Sequence, residues 1–381
     1  MQPAPGRPTF LEVDLSRLKQ NLTNIRARVK PAKVMVVLKA NAYGHGVDGV
    51  APFLAPHADY IGVAIVEEGI HLRRLGIRTP ILVMGGTLPE QVPLFIPDDL
   101  TLSASSTELL DAAQAIARSA GAKLKVHLKI DTGMERMGVH EYEAEAFVER
   151  SLACENLQIE GIFSHLANAD AADLSHARLQ LERFAQVLAV YSRRGIPPPR
   201  LRHIANSGAI LQLAEGHLDM VRAGLMLYGV YPGAEVQRTV EVGQSLTWHS
   251  RVVNSKITLA GRPVGYGSTW QPDRPTRVLT IPCGYADGYF RRMSNQAHVL
   301  INGTKYRQVG RICMDQFMVD AGEEEIQVGQ DVVLLGEAKS GQRIFVEDLA
   351  GWAGTSEYEV MTNISARVPR VFKSADAGVE A

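Results

Sequence analysis

A run of branched apolar residues, Val34-Met35-Val36-Val37-Leu38, ends in Lys39 and passes at once into Ala-Asn-Ala-Tyr-Gly-His-Gly. A strand buried on both faces needs no polar alternation, and this run has none. An ammonium at the end of such a strand is poorly solvated, so its charged form is disfavoured. A neutral amine there can attack a carbonyl. A lysine that simply reaches solvent where its strand stops is the alternative from this stretch alone.

Other reactive side chains stand just past apolar runs in the same way. Lys129, Asp131 and Arg136 follow "VHL", His165 follows "GIFS", and His203, Asn206 and Ser207 follow "LR". Arg222 sits in "MVRAG". Singly, each has a plain reading as a satisfied core residue or a helix cap. Jointly they point to one face, because catalytic groups of a parallel barrel gather at the C-terminal ends of its strands.

Eight strand-like runs carry these residues, from "VMVVLKA" and "YIGVAI" to "LRHIANSG" and "MVRAGLMLYG". Helical patterns separate them, among them "VEEGIHLRRLG", "TELLDAAQAIARSA" and "HARLQLERFAQVLAVYSRRG". Asp14 is placed to cap a helix with apolar Leu15, Leu18, Leu22 and Ile25. Eight βα units in one stretch predict a (β/α)8 barrel of the TIM type, an α/β fold. An open doubly wound sheet is the alternative, weakened by the lack of GxGxxG after the first strand. Near Tyr231 the pattern changes to β-rich segments with turn signals such as Asn302-Gly303. The expected domains are a barrel over 11–237 and a mostly β domain over 238–381, with residues 1–10 packing on the latter and one helix near "FVEDLAGWAG".

The 381 residues carry 40 basic and 41 acidic side chains, so no global field points to nucleic acid or a membrane surface. The three cysteines, Cys154, Cys283 and Cys313, form no CxxC pair, which speaks against a disulfide framework or structural zinc. "MQPAPGRPTF" has no basic and apolar leader, and no apolar run is long enough to span a bilayer. A cytoplasmic protein is the expectation.

The turns after the last two barrel strands are a common phosphate site. Ser207 offers a hydroxyl at a predicted helix start, and Gly224 and Leu225 offer backbone N–H groups with no side chain at Gly224 in the way. A phosphate site together with a reactive lysine suits pyridoxal 5'-phosphate. At this point the chain resembles the alanine racemases, block by block: "VVLKANAYGHG", "VHLKIDTGMERMG", "GIFSHLANAD", "IANSGA", "MVRAGLMLYG", "VGYGSTW", "GYADGY", "VGRICMDQFMVD" and "ISARVPRV". The similarity covers nearly the whole chain.

The resemblance implies a barrel followed by a β domain, and interconversion of L- and D-alanine to supply D-alanine for peptidoglycan. Lys39 matches the lysine that holds pyridoxal phosphate and serves as one base; Tyr266 matches the opposing base. Two bases on opposite faces of a planar carbanion invert it without rotating it. A phenol is a poor base at neutral pH, so cationic neighbours must assist Tyr266. In the family the histidine matching His165 bonds this tyrosine and the arginine matching Arg222. Arg222 itself matches the residue facing the pyridine nitrogen. Tyr43, Ser207, Gly224, Leu225 and Tyr358 match phosphate contacts, with His203 and Asn206 in the same neighbourhood. Arg136 and the backbone N–H of Met314 match carboxylate contacts, and Tyr285 an entry-gate residue. Lys129 matches a lysine often carbamylated. The family is a homodimer in which one subunit's β domain completes the other's site. Glu135, Ala223 and Ser164 depart from the usual residues, and Glu135 would matter only if it pointed inward.

Three rivals remain. A dinuclear metal hydrolase could use His165, His203, Asp131 and a carbamylated lysine, though no His-x-His occurs on the first strand. A non-catalytic pyridoxal phosphate carrier would have no use for Tyr266. A racemase of broader range, acting on serine or basic amino acids, shares every motif.

Overall fold

The computed structural model describes residues 6–374. They divide into two compact units: residues 18–42 with 47–243, and residues 6–17, 43–46 and 244–374.

In the first unit, strands β2 (Lys33–Val37), β3 (Tyr60–Val63), β4 (Ile81–Val83), β5 (Thr101–Ala104), β6 (Leu124–Asp131), β8 (Leu157–Phe163), β9 (Leu201–His203) and β10 (Met220–Ala223) follow the predicted runs. Their spatial order is β10-β2-β3-β4-β5-β6-β8-β9, and every pairing is parallel. Asp219 N–H donates to Arg202 O at 3.1 Å and Arg222 N–H to Ala205 O at 3.0 Å, so β10 returns to β9 and the barrel nearly closes. The short β7 (Val139–His140) adds to β6. All residues of β3, β4, β5 and β10 are buried, as a sheet covered on both faces requires. Met35, Tyr60, Leu82, Phe163, Leu201 and Met220 pack together as its core. Each such side chain contributes roughly 1.5–3 kcal/mol through removal from water.

The helices stop and start where local chemistry dictates. Ser106 accepts from Leu109 N–H and caps Thr107–Ser119. Helix Val66–Arg74 has Glu67 and Glu68 in its first turn and Arg73 and Arg74 in its last, matching the helix dipole. Asp14 accepts from Arg17 N–H at 2.9 Å, the cap the sequence predicts.

The second unit is built on a sheet of β1 (Phe10–Asp14), β11 (Leu246–Arg251), β12 (Asn254–Thr258), β13 (Thr276–Ile281), β14 (His298–Ile301), β15 (Thr304–Val309), β16 (Phe317–Asp320), β17 (Asp331–Glu337), β18 (Arg343–Ile344) and β19 (Arg370–Lys373). The order is β12-β13-β16-β15-β14-β17-β11-β1-β19, with β18 on β17. Thus β1, from the start of the chain, lies antiparallel to β11 and parallel to β19. Asn302 and Gly303 both have positive φ, 51° and 81°, as the tight β14–β15 hairpin demands. The predicted late helix runs over Val346–Ala353. Residues 1–5 and 375–381, assigned above to this domain, lie outside the described residues.

The segment 43–46 groups with this unit. Arg370 donates to Gly44 O through Nε and Nη2 at 3.1 and 3.0 Å. Gly44 has φ +80°, and a Cβ there would stand 2.1 Å from Met361 O. Gly44→Ala should therefore lower unfolding free energy by about 3 kcal/mol, the sum of left-handed strain and a backbone clash. A shift of the urea midpoint at constant slope measures it; an unshifted midpoint refutes it.

Candidate active site

Strand β2 stops at Val37, and Lys39 opens an unusual turn. Ala40, Asn41, Ala42 and Tyr43 all have φ between 52° and 55°. Four consecutive left-handed residues, none of them glycine, cost roughly 1–2 kcal/mol each, so neighbours must hold them. Ala42 N–H donates to Leu38 O at 2.9 Å. Val47 N–H donates to Asn41 Oδ1 at 2.8 Å. Ala40 N–H donates to Glu68 Oε1 at 2.6 Å. Backbone strain of this kind persists mainly where function uses it.

The Lys39 amine is held below the usual lysine range by burial and by Arg136 and Arg222, with Glu68 opposing them. Lys129, at the end of β6, is almost wholly buried. Its Nζ lies 4.6 Å from the centre of the Phe163 ring. Burial pushes it well down, Arg222 and Arg136 reinforce this, and Asp131 opposes. Four basic side chains therefore converge on one mouth. Asp131 is the acid that opposes them at Lys129. Its Oδ1 accepts from Gly133, Met134 and Glu135 N–H at 2.9, 2.9 and 3.2 Å, and its Oδ2 from Arg136 N–H at 3.1 Å. Burial raises its pKa, and those N–H groups outweigh burial and lower it. Glu135 adopts φ 54° and turns to His140, 3.0 Å away, with its side chain largely exposed.

Arg222 sits buried on β10 with every contact an acceptor. Nη1 reaches His203 Nδ1 at 2.9 Å. Nη2 reaches Ser164 O at 2.8 Å, Ile204 O at 2.8 Å and His165 Nδ1 at 3.0 Å. A guanidinium only donates, which fixes the histidine tautomers. Both Nδ1 atoms accept, so His165 and His203 carry their protons on Nε2. His203 then donates from Nε2 to His127 Nδ1, 2.9 Å away. His127 in turn keeps its proton on Nε2, which has no partner. Burial, then Arg222, holds His165 and His203 well below the usual histidine range. Burial, then Arg200 and Arg222, takes His127 down to about 3. His203 stacks on Phe163 at 4.8 Å.

Asn206 caps helix Ser207–Gln212 through Ala209 N–H and donates to Leu166 O. Ser207 Oγ accepts from Met226 N–H at 3.4 Å, across from the turn that begins at Gly224 and Leu225. The first N–H groups of such turns have no intrahelical partner.

In the second unit, Tyr43 is buried and its ring lies 6.1 Å from that of Tyr358. Tyr266 opens the short turn Tyr266–Ser268 after Gly265 and is 72% exposed. Tyr285 N–H donates to Cys313 O and Ala286 N–H to Met314 O, which pairs the Tyr285 segment with the Met314 segment. Thus Lys39, Lys129, Arg136, His165, His203 and Arg222 are brought together in one unit, and Tyr43 with Tyr358, and Tyr285 with Met314, in the other. Sequence reasoning missed His127 and Glu68. A histidine inside the apolar run "KVHLKI" signalled the first; nothing short of the turn geometry signalled the second. Among the described residues no group of three or more His, Cys, Asp and Glu could hold a metal. Of the side chains that rival needed, His165 and His203 each accept from Arg222 through Nδ1, and Asp131 accepts from backbone N–H groups.

A parallel barrel with a partly buried amine and three further basic side chains at its strand ends, followed in the chain by a β-rich unit, has the architecture of a barrel enzyme. The family description "Alanine racemase, N-terminal domain" matches residues 13–232, and "Alanine racemase, C-terminal domain" matches residues 245–372. A curated alanine racemase of Carboxydothermus hydrogenoformans is 44% identical over 96% of this chain and 100% of its own length. The solved alanine racemase of Clostridium difficile 630 superposes with TM-score 0.91 at 35% identity, covering 98% of this chain and 97% of that one. A histidine racemase of Leuconostoc mesenteroides superposes with TM-score 0.88 at 30% identity, covering 97% and 99%. The chain belongs to the alanine racemase family and is an isomerase. No helix among the described residues is long and apolar enough to cross a membrane.

Proposed function

We propose that this chain interconverts L- and D-alanine using pyridoxal 5'-phosphate, with Lys39 and Tyr266 as the two bases. The observation that carries the reading is the convergence of Lys39, Lys129, Arg136 and Arg222, with only Glu68 and Asp131 named as acids opposing them. That donor set suits a phosphate-bearing aldehyde: two guanidinium groups for anionic groups and a lysine biased toward the neutral amine. Bound through the lysine, the cofactor supplies an electron sink that acidifies the α-proton of an amino acid.

The chain's own residues do the rest. Lys39 Nζ moves the α-proton on one face and Tyr266 Oη on the other, Lys39 serving D-alanine and Tyr266 L-alanine. Arg222 would hold the ring nitrogen as a donor that stays protonated, which limits charge delocalisation and side reactions. His165, with its proton on Nε2, presents a donor toward the mouth that can stabilise a phenolate. Ser207, Gly224, Leu225, Tyr43 and Tyr358 would hold the phosphate, with His203 and Asn206 positioning them. Arg136 and the Met314 N–H would hold the substrate carboxylate, and Tyr285 would line the entry. A carbamate on Lys129 would replace a costly buried cation by an anion able to orient Arg136.

A homodimer with composite sites is part of the reading. Val253, Ile257, Leu259, Tyr266 and Met314 are all exposed apolar or aromatic side chains of the second unit. Most of them line one groove of about 1010 Å³. Apolar patches of this kind mark interfaces, and a second copy would bring Tyr266 to its partner's Lys39. The proposed domains are 11–237 for the cofactor and 238–381 for the partner's site. Three free thiols support a reducing, cytoplasmic setting, where the product would feed peptidoglycan.

The histidine racemase neighbour favours a second reading, a broader substrate range, because an apolar methyl pocket rejects an added hydroxyl only weakly. Chiral chromatography of the cofactor-loaded protein with separate L-amino acids decides. D-alanine should form at least about tenfold faster than any other product. Comparable turnover of serine, lysine, arginine or histidine would keep the mechanism and change the substrate. No racemisation would move the carrier reading forward. The intact mass of the same preparation reads the Lys129 carbamate, and an unmodified mass removes it.

A further inference from the structure

We propose that Glu68 is a positioning residue for Lys39: its carboxylate spans the strained turn after Lys39 and the start of helix Val66–Arg74, and so sets where the amine stands. The inference rests on Lys39 being the reactive amine. Glu68 Oε1 accepts from Ala40 N–H at 2.6 Å, the first peptide after Lys39. Its Oε2 accepts from Ala64 N–H at 2.7 Å and from Ile65 N–H at 3.4 Å. The carboxylate thus ties the end of β3's following loop to the residue beyond Lys39.

Ordinary helix capping explains the Oε2 contacts, because a glutamate at the third helical position reaches back to the cap N–H. It does not explain Oε1. That oxygen satisfies a peptide forced into left-handed geometry, where Ala40 has φ 52° and ψ 53°. The conformation is unfavourable for alanine, so it persists only while something outside the turn prefers it. Charge-assisted bonds to backbone N–H are short and strong, as the 2.6 Å distance shows. Glu68 also supplies a negative charge near the Lys39 amine, opposing Arg136 and Arg222. The same residue therefore fixes the position of the amine and tempers the field around it.

Two substitutions separate geometry from charge. Glu68→Gln removes the charge and puts an amide NH2 where one N–H needs an acceptor. Glu68→Asp keeps the charge and is one methylene too short to span both sites. Ser106→Ala, which removes an ordinary cap elsewhere in the barrel, serves as the control of similar stability cost. Both Glu68 variants should lower kcat of the holoenzyme about 10- to 100-fold with KM within about threefold, since a misplaced group costs rate rather than binding. Only Glu68→Gln should move the lysine limb of the kcat–pH profile to lower pH. In both, the Ala40 amide should exchange with solvent at least about tenfold faster. The yield of pyridoxal phosphate trapped on Lys39 by borohydride, read by peptide mass, should fall too. Ser106→Ala should change none of these.

If the Glu68 variants match Ser106→Ala in kcat, pH profile, Ala40 exchange and trapping, Glu68 is only a cap and the proposal is wrong. Failure of the underlying reading looks different: borohydride would label some residue other than Lys39 in the unsubstituted protein.

Discussion

Replacing Lys39 by alanine should abolish racemisation, with a loss of at least about 1,000-fold in kcat/KM. General base catalysis alone supplies about 100- to 10,000-fold, and Lys39 also anchors the cofactor in the proposed function. The enantiomers are equal in energy, so kcat/KM must fall equally in both directions whichever base is removed. An asymmetric loss would mean that the assay misses one direction. Folding should survive. Lys39 is only partly buried, and none of the hydrogen bonds described above uses its side chain. Added methylamine should restore part of the activity by filling the vacated space with an amine. Wild-type activity in Lys39→Ala would end the two-base reading.

The second large effect is on stability against acid. His127, His165 and His203 are held neutral by burial and by Arg222, His127 at about 3. An unfolded histidine titrates near pH 6.5. Groups whose folded pKa is depressed contribute stability that is whole above the unfolded pKa and is lost as pH falls toward the folded one. Below about pH 6 each of the three takes up a proton on unfolding, about 1.4 kcal/mol per pH unit each and about 4 kcal/mol per unit together. Urea unfolding of the holoprotein from pH 7 to 5 should therefore show a steep decline beginning near pH 6.5. Asp131 adds to it only lower down, since its carboxylate is favoured by the four N–H groups around it. A flat profile between pH 6.5 and 5 would mean that the three rings are not neutral donors and acceptors of one chain.

Much of this was legible in the residues. Doubly buried strands write themselves as unbroken apolar runs, so the eight barrel strands could be read directly. Asn302-Gly303 announced its hairpin because only those residue types accept two positive φ values cheaply. The Arg222 neighbourhood was partly legible: His165 and His203 stood past their strands, but His127 points into the barrel from within one, and a histidine in an apolar run looks like any core residue. The turn after Lys39 was not legible. Left-handed geometry is ordinarily signalled by glycine, and Ala-Asn-Ala-Tyr offers only Asn41 as a willing residue. Its conformation is held in part by a partner outside the turn, Glu68, and local propensity cannot show that. Glu135 was legible only as a question; its bond to His140 answers it.

The grouping of residues 43–46 with the second unit bears on how the protein is made. Gly44 O finds its Arg370 donors 326 residues downstream. During synthesis from the N-terminus the barrel segments emerge first, and those with nearby partners can settle. Gly44 O, five positions past the lysine, cannot meet its Arg370 donors until the last strand leaves the ribosome. The segment that follows Lys39 is thus among the first sequences translated, while its bonds to Arg370 are among the last to form. A nascent chain stalled before residue 370 would have the partners that hold the turn after Lys39, none of them beyond Glu68, and would still lack the Arg370 bonds to Gly44 O.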